Sequence, residues 1–593
     1  MSDSLLAYFE QELRFIREEA AQFSARHPGA ASALGISKES VDDPQVARLI
    51  ESVALLNGRL QQRLDESFPE LTESLIRLLF PHYLRPIPSY TLLDLVCDSS
   101  ANATHQIPAG TEFDLKDKAS DGGIFRSTEA ITLYPLQLSA VNVAFAPFEL
   151  TKPRGAEQAK ALVEIHIQAI DPSLSIADLA IDSLKLHLKG DTNFALRLYD
   201  ILSQSAVQVC ISAQGETWPL GRDALSPVGF DVDETILPYQ AASFGGFKLL
   251  TEFFMFAERF NAFRLDLHHA LSQVKGSQFK LQIFLDELSV DLARSLSKQN
   301  FALFCTPLVN LHQTMADPLV VDFFKKHYPI MLDAGQNRDL ELFSVDQVMD
   351  VTEGKAVVVP QIYGEKYAGS ESGLRWQLIQ QLHENGALES ALKVADLNHL
   401  SSLSEARTWS LQATVTNGSK VAQLTVASQI QCRESITIPA RMQLLRRPSL
   451  PVRSKDANKN VWALLSHLHF NYHSILGTED PTATLKNVFH LYNHNQSSHN
   501  SAYIESVMDI EQEQVVAPIR VSGKGSFAYG TRITVTLDSA HINGGVSLFS
   551  HFLDRFFAYF AGFNSFTQVA IKLEGQEGIL VQFPRRSGCK SLL

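Results

Sequence analysis

Cysteine is scarce in this chain. Five cysteines in 593 residues (Cys97, Cys210, Cys305, Cys432 and Cys589) lie far apart, and no two form a CxxC pair. That excludes a zinc knuckle and offers no disulfide framework, an arrangement suited to a reducing cytosol. Positive charge is also in short supply. Lys and Arg number 51 against 65 Asp and Glu, for a formal net charge of −14. Such a balance argues against a role built on phosphate backbones, so no nucleic-acid partner is expected. The nearest basic group, Arg446, Arg447 and Arg453, is interrupted by PSLPV and reads as a solvated linker. Long apolar runs are missing too. The most apolar internal stretch, LLTEFFMFAERFNAFRLDL, is broken by Glu252, Glu258 and Arg259, so no bilayer-spanning helix is expected. The opening MSDSLLAYFEQELRF has no basic segment followed by an apolar run and does not read as a signal peptide.

The catalytic templates are absent or broken as well. His467, His469 and His473 fall within one predicted helix, and His490 and His494 are spaced four apart. A zinc or iron site would need those nitrogens to converge with a carboxylate or a third ligand. There is no HExxH, and the nearby acids are few (Glu479 and Asp480). In SGKGSFAYG (522–530) Lys524 is followed by Gly525 and then by a predicted strand, which is a turn pattern and no phosphate loop. GSESG (369–373) carries Glu371 where a nucleophile elbow needs serine. Paired acids such as Asp42–Asp43 and Asp231 with Asp233 sit in loop-like surroundings. The expectation is no enzyme, no cofactor and no metal. Two rival classes stay open to test: a His-dependent metallohydrolase, which would carry stoichiometric metal, and a membrane-associated adaptor, which would bind lipid without partners.

What the chain does have is a succession of textures that predict an α+β multidomain fold: a helical N-terminal region (1–88), two β-rich domains (89–310 and 311–450) and a C-terminal α/β domain (451–593). Near the N-terminus Leu5, Phe9, Leu13, Ile16, Ala20 and Phe23 recur at three- and four-residue steps, on one helix face, until HPG at 27–29 ends the run. A second helix is predicted from DDPQV, with Asp43 as cap and Pro44 in the first turn. Val46, Ile50, Val53, Leu60 and Leu64 form its stripe. ELTESLIRLLF is a third helical segment, ended by the prolines of PHYLRPIP. Short β-rich runs follow, among them SYTLLDLVCD, ALVEIHIQAI, SLKLHLKG, AVQVCISA, FKLQIFLDEL and KAVVVPQIYG. In SLKLHLKG, Leu184, Leu186 and Leu188 face one way, with Lys185 and His187 opposite. QLLRRPSLPVRSKDANKN (443–460) is a linker candidate. VWALLSHLHFNYHSIL and ATLKNVFHLYN read as helices, and GTRITVTLD reads as a strand.

Phenylalanine is the surplus. Seven fall between Phe549 and Phe566, and Phe549, Phe552, Phe556, Phe560 and Phe563 step by three or four along a predicted helix, with Phe557 widening the stripe. A face worth roughly 10 kcal/mol or more must be covered. A membrane-surface helix would want a basic polar side, and only Arg555 is there, balanced by Asp554. Packing against the neighbouring strand and a composite of core and partner groove are the two readings left. The residues taken as partner-binding are Leu5, Phe9, Leu13, Ile16, Phe23, Ile50, Val53 and Leu60 at the N-terminus, and Phe549, Phe552, Phe556 and Phe560 near the C-terminus.

Nearly end to end, the chain resembles the TssF family, a baseplate subunit of bacterial type VI secretion systems. The resemblance is carried by YFEQELRFIREEAAQFSARHP and DDPQVARLIESVALLNGRLQQRLDESFPELTESLIRLLFPHYLRPIPS. Central matches are CTPLVNLHQTMADPLVVD and YPIMLDAGQNRDLELFSVDQV. LLSHLHFNY and YGTRITVTLD…LFSHFLDRFFAYFAGFNSFTQ complete it. This resemblance implies a structural part similar to the wedge proteins of contractile phage tail baseplates. Its implied partners are TssG, a second copy of TssF, TssK, the VgrG spike and, beyond these, TssE and the Hcp tube. It implies a cytoplasmic protein, brought to the inner membrane by the assembled baseplate, that nucleates the inner tube and contractile sheath. No catalytic residue carries over.

Overall fold

Asp43 and Pro44 set the start of the second long helix as expected, while a short helix begins at Pro28, where only a stop was expected. In the computed structural model α1 (Asp3–Arg26) stops before the HPG turn, and Pro28 opens the short α2 (Pro28–Ala33). The carboxylate of Asp43 accepts from Gln45 N at 2.7 Å, and Pro44 begins α3 (Pro44–Asp65). The structure describes residues 3–33, 35, 43–65, 76, 80–117, 120–231, 233–239, 243–332, 340–362, 373–382, 388–397, 406–453, 477, 480–521, 524–542, 544–559, 561 and 565–587. ELTESLIRLLF therefore lies outside the described residues except for Ile76, which is buried and helical, and Phe80, which is buried. VWALLSHLHFNYHSIL, with His467, His469 and His473, lies outside them altogether. Two compact units emerge: residues 1–79 with 456–465, and residues 80–455 with 466–593.

In the first unit α1 and α3 pack on each other. Gly58 marks the closest approach: a methyl group added there would stand 3.0 Å from the Phe9 amide nitrogen. Ala54, one turn earlier on the same face, is wholly buried. Small residues let two helix backbones draw together where leucine would hold them apart.

The second unit is mixed helix and sheet. Its six-stranded sheet runs Gln429–Cys432, Glu112–Asp117, Ser120–Ser127, Cys305–Val309, Tyr90–Cys97, Ala440–Leu444, and so takes strands from both sides of residue 310. Leu93 pairs with Thr306 on one side and Leu444 on the other. The supposed linker thus begins as a strand. Its arginines are held: Arg446 bonds Glu258 at 2.8 Å and the Thr192 hydroxyl at 3.0 Å, and Arg453 pairs with Glu341. A five-stranded sheet (Glu216–Pro219, Ala206–Ala213, Gln278–Leu285, Ala161–Ala169, Leu136–Phe145) and a four-stranded one (Leu225–Pro227, Ala262–Asp266, Ser183–Leu188, Phe301–Ala302) follow. Leu184, Leu186 and Leu188 are buried as the alternation predicts. His187 is buried too, because that strand is covered on both faces, and burial pushes its imidazole down to about 3.

A further sheet is built on Arg407–Thr416, flanked by Glu341–Asp350 on one side and by both His312–Met315 and Leu319–Val321 on the other. Tyr328–Pro329, Leu388–Asp396 and Leu374–Leu382 form a three-stranded companion, and the two share a core around Trp409. Among the described residues of KAVVVPQIYG only Val357–Val358 is strand.

At the C-terminus Val507–Val521 and Lys524–Leu537 make a long antiparallel hairpin, to which Ser565–Leu573 adds in parallel. Ile533, Val535 and Leu537 point inward, with Arg532, Thr534 and Thr536 on the less buried face. The longer helices described in the unit are α4 (Thr192–Gln204), α5 (Gly245–Met255), α6 (Pro481–Tyr492), α7 (Ser498–Glu505) and α8 (Val546–Tyr559). Helix α8 lies on Ser565–Leu573 and against α4 and α5. Its start depends on Gly545, whose φ of +91° favours glycine and where an added methyl carbon would stand 2.1 Å from the Tyr503 hydroxyl.

Candidate functional site

The two apolar faces singled out in the sequence have opposite fates. On α8, Phe549, Phe552 and Phe556 are wholly buried. Phe552 stacks on Phe253 of α5 at 4.1 Å between ring centroids and meets Phe489 of α6 at 5.6 Å. Phe549 stacks on Tyr503 of α7 at 5.0 Å, and Phe556 meets Phe489 edge-on at 5.5 Å. These three rings of the stripe are packed against helices of their own unit, and Phe560 and Phe563 lie outside the described residues.

The N-terminal helices keep an apolar face in solvent. Phe9, Leu13, Ile16 and Ile50 are half-buried, while Phe23 and Val53 are exposed, and nothing is described of the Leu5 side chain. The larger exposed residues on α3 are Leu49 (66 %), Leu56 (67 %) and Leu60 (63 %), which alternate with Val53 at steps of four, three and four. That is the spacing of a coiled-coil seam. Sequence reasoning named Val53 and Leu60 but missed Leu49 and Leu56, and it missed that Ala54 and Gly58 form the inner face. The signal was present in the 4-3-4 steps. Covering four such side chains is worth roughly 6–12 kcal/mol, so the seam is a strong candidate for a partner helix.

The titratable groups are arranged as structure-holders. Among the described residues no group of three His, Cys, Asp or Glu could hold a metal ion. His490 sits 3.4 Å from Glu505, both about half exposed. His494 lies past the end of α6, so the four-residue spacing does not align the pair on one face; its ring meets Tyr83 and Tyr492, and burial lowers its pKa to about 4. Burial pushes the Cys97 and Cys210 thiols up to about 11 and raises Cys305 and Cys432, the opposite of what a thiolate nucleophile needs. Glu252 is buried and its carboxyl pKa raised by desolvation. It accepts from Ile236 N at 2.8 Å and Leu237 N at 3.2 Å and pairs with buried Arg259, which also donates to Gly229 O at 3.1 Å. Asp231 lies 3.6 Å from Arg555. A hollow of about 230 Å³ between α4, α7 and the end of α5 contains His499 and Glu258, the latter ion-paired to Arg446. Among the described residues no helix is long and apolar enough to cross a membrane.

The family model described as "Type VI secretion system, TssF" matches residues 1–590. Type VI secretion system component TssF1 of Pseudomonas aeruginosa is 25 % identical, with the whole of both chains covered. Among solved structures, a chain of a type VI secretion system TssK-TssF-TssG baseplate subcomplex is similar at a TM-score of 0.75 and 24 % identity, over 92 % of this chain and 99 % of that one. A chain of a type VI secretion baseplate complex is similar at 0.60 and 23 %, over 98 % of this chain and 100 % of that one.

Proposed function

Because the chain belongs to the TssF family of type VI secretion systems, we propose that it is a structural subunit of the baseplate wedge, acting through its surfaces and without catalysis. The observation that carries this reading is the similarity of fold, over 92 % of the chain, to a subunit of a TssK-TssF-TssG baseplate subcomplex. In this reading TssG and a second copy of the chain are the immediate partners. TssK links the wedge to the membrane complex, VgrG stands at the centre, and TssE and the Hcp tube join as sheath and tube are nucleated. The protein then works in the cytoplasm and reaches the inner membrane only as part of the assembly.

The seam on α3 is the proposed contact with TssG. Its four side chains are too apolar to be left wet by a subunit of a permanent assembly, whose interfaces are extensive and rather apolar. Half-buried Phe9, Leu13, Ile16 and Ile50 would hold α1 against α3 and present the seam. The test is coexpression with TssG followed by sizing of the complex. Leu56→Asp with Leu60→Asp is expected to leave a folded chain that no longer copurifies with TssG. Undiminished copurification would remove α3 from the interface, and failure of the unaltered pair to form a complex would remove the wedge reading itself.

A further inference from the structure

Phe324 is 88 % exposed, more than any other large hydrophobic residue among those described. It does not sit on a loose loop. Asp322 closes the turn beneath it, accepting through Oδ1 from Phe324 N at 3.1 Å and from the Tyr328 hydroxyl at 2.8 Å. Tyr328 is itself buried and paired in a strand with Leu388–Asp396. Phe323 packs inward against the Trp409 core and takes a left-handed φ of +60°, which a non-glycine residue adopts only where its surroundings enforce it. One phenylalanine thus anchors the turn while the next is held out of it.

The neighbours of Phe324 are unlike the rest of this acidic chain. Lys325, Lys326 and His327 are all exposed. Within the same stretch of sequence, Met315 and Val320, on the two edge strands, and Met331, whose carbonyl accepts from Asp317 N at 2.9 Å, are also each more than half exposed. An aromatic side chain carried on a backbone that is already fixed is what a partner's pocket binds most strongly. Two lysines beside it select for carboxylates and set the register of docking. A lipid surface fits less well: biological membrane faces are anionic, the chain carries −14, and one ring with two lysines is a small anchor for 65.8 kDa.

We propose that the turn 322–328 is a preformed knob for a partner protein whose socket is apolar at its floor and lined with carboxylates at its rim. Phe324 fills the socket, Lys325 and Lys326 meet the rim, and the Asp322–Tyr328 clasp keeps the knob in shape. The inference does not depend on the baseplate reading, whose own test runs through α3.

The experiment places p-benzoylphenylalanine at position 324 of the full chain in the bacterium that encodes it, irradiates the cells and identifies the cross-linked peptide. The expected product is a peptide of a different protein with Asp or Glu close to the cross-link. Its yield should fall at least fivefold with Lys325→Glu plus Lys326→Glu and recover when the partner's acids are reversed to lysine. Asp322→Ala should lower the yield too, with the melting temperature of the chain unchanged to within a degree or two. A lipid adduct, a peptide from a second copy of this chain, a yield indifferent to charge reversal, or no cross-link at all would each overturn the proposal.

Discussion

Asp200, on α4, holds the start of α8 although the two are more than three hundred residues apart: its carboxylate oxygens accept from Gly545 N at 2.6 Å and Ser547 N at 2.7 Å. The anion sits where the unpaired amides of a helix start collect partial positive charge. Burial raises the carboxyl pKa, and those same amides oppose the rise. Asp200→Ala is expected to cost about 1–3 kcal/mol, the penalty for orphaning buried donors. Asp200→Asn, which keeps one acceptor oxygen, should cost less. Denaturant titration of the two variants checks the order.

Phe552 is the hub of the aromatic core, with Phe253, Phe254, Phe489, Phe549 and Phe556 all within 6 Å of its ring centre. Phe552→Ala should destabilise the second unit by about 3–5 kcal/mol. Complex formation with TssG at low temperature should survive it. A variant that melts like the parent chain but loses its partners would return α8 to the list of interfaces.

Glu252 and Arg259 illustrate a different sensitivity. Glu252→Ala strands a buried guanidinium and leaves the Ile236 and Leu237 amides without their acceptor, for an expected loss of roughly 3–5 kcal/mol. Replacing both residues with methionine should be milder than the single change, since no charge is then left unpaired. Unfolding curves for the single and double variants decide; a double variant worse than Glu252→Ala would mean the pair is held for more than neutrality.

Buried imidazoles set an acid limit. Burial lowers His82 and His187 to about 3 and His312, His494 and His551 to about 4, against 6.5 for a free side chain. The unfolded chain therefore takes up protons first as pH falls. Their contribution to stability is full above pH 6.5 and is lost progressively from 6.5 down to about 4 for His312, His494 and His551 and about 3 for His82 and His187, at about 1.4 kcal/mol per pH unit for each proton of difference. Stability measured at pH 7.5, 6 and 5 should fall along that course, and His494→Phe should lessen the slope. A slope unchanged by His494→Phe would mean that His494 is not among the groups protonated on unfolding.

Local rules were legible in the sequence, and long-range ones were not. Asp43 and Pro44 announce α3, and the Phe steps announce α8, because caps and periodicity act within a few residues. Where the Phe stripe would be buried depended on Phe253 and Phe489, far away in sequence. Ala54 and Gly58 gave no apolar signal, yet small size is what admits them to the contact between α1 and α3. His490 and His494 looked like a helical pair only until the helix ended at Tyr492. Phe324 had no period to betray it, since its prominence comes from a turn that Asp322 and Tyr328 tie shut.

The central six-stranded sheet has a consequence for the making of the protein. Leu93 waits for Leu444, which the ribosome adds 351 positions later, or roughly 20–70 s at ordinary bacterial rates of synthesis. Through that interval Tyr90–Cys97, buried in the fold at every residue but Val96, has an open hydrogen-bonding edge. Nascent chains of this protein should therefore lean on ribosome-bound chaperones far more than those of a protein whose neighbouring strands are also neighbours in sequence.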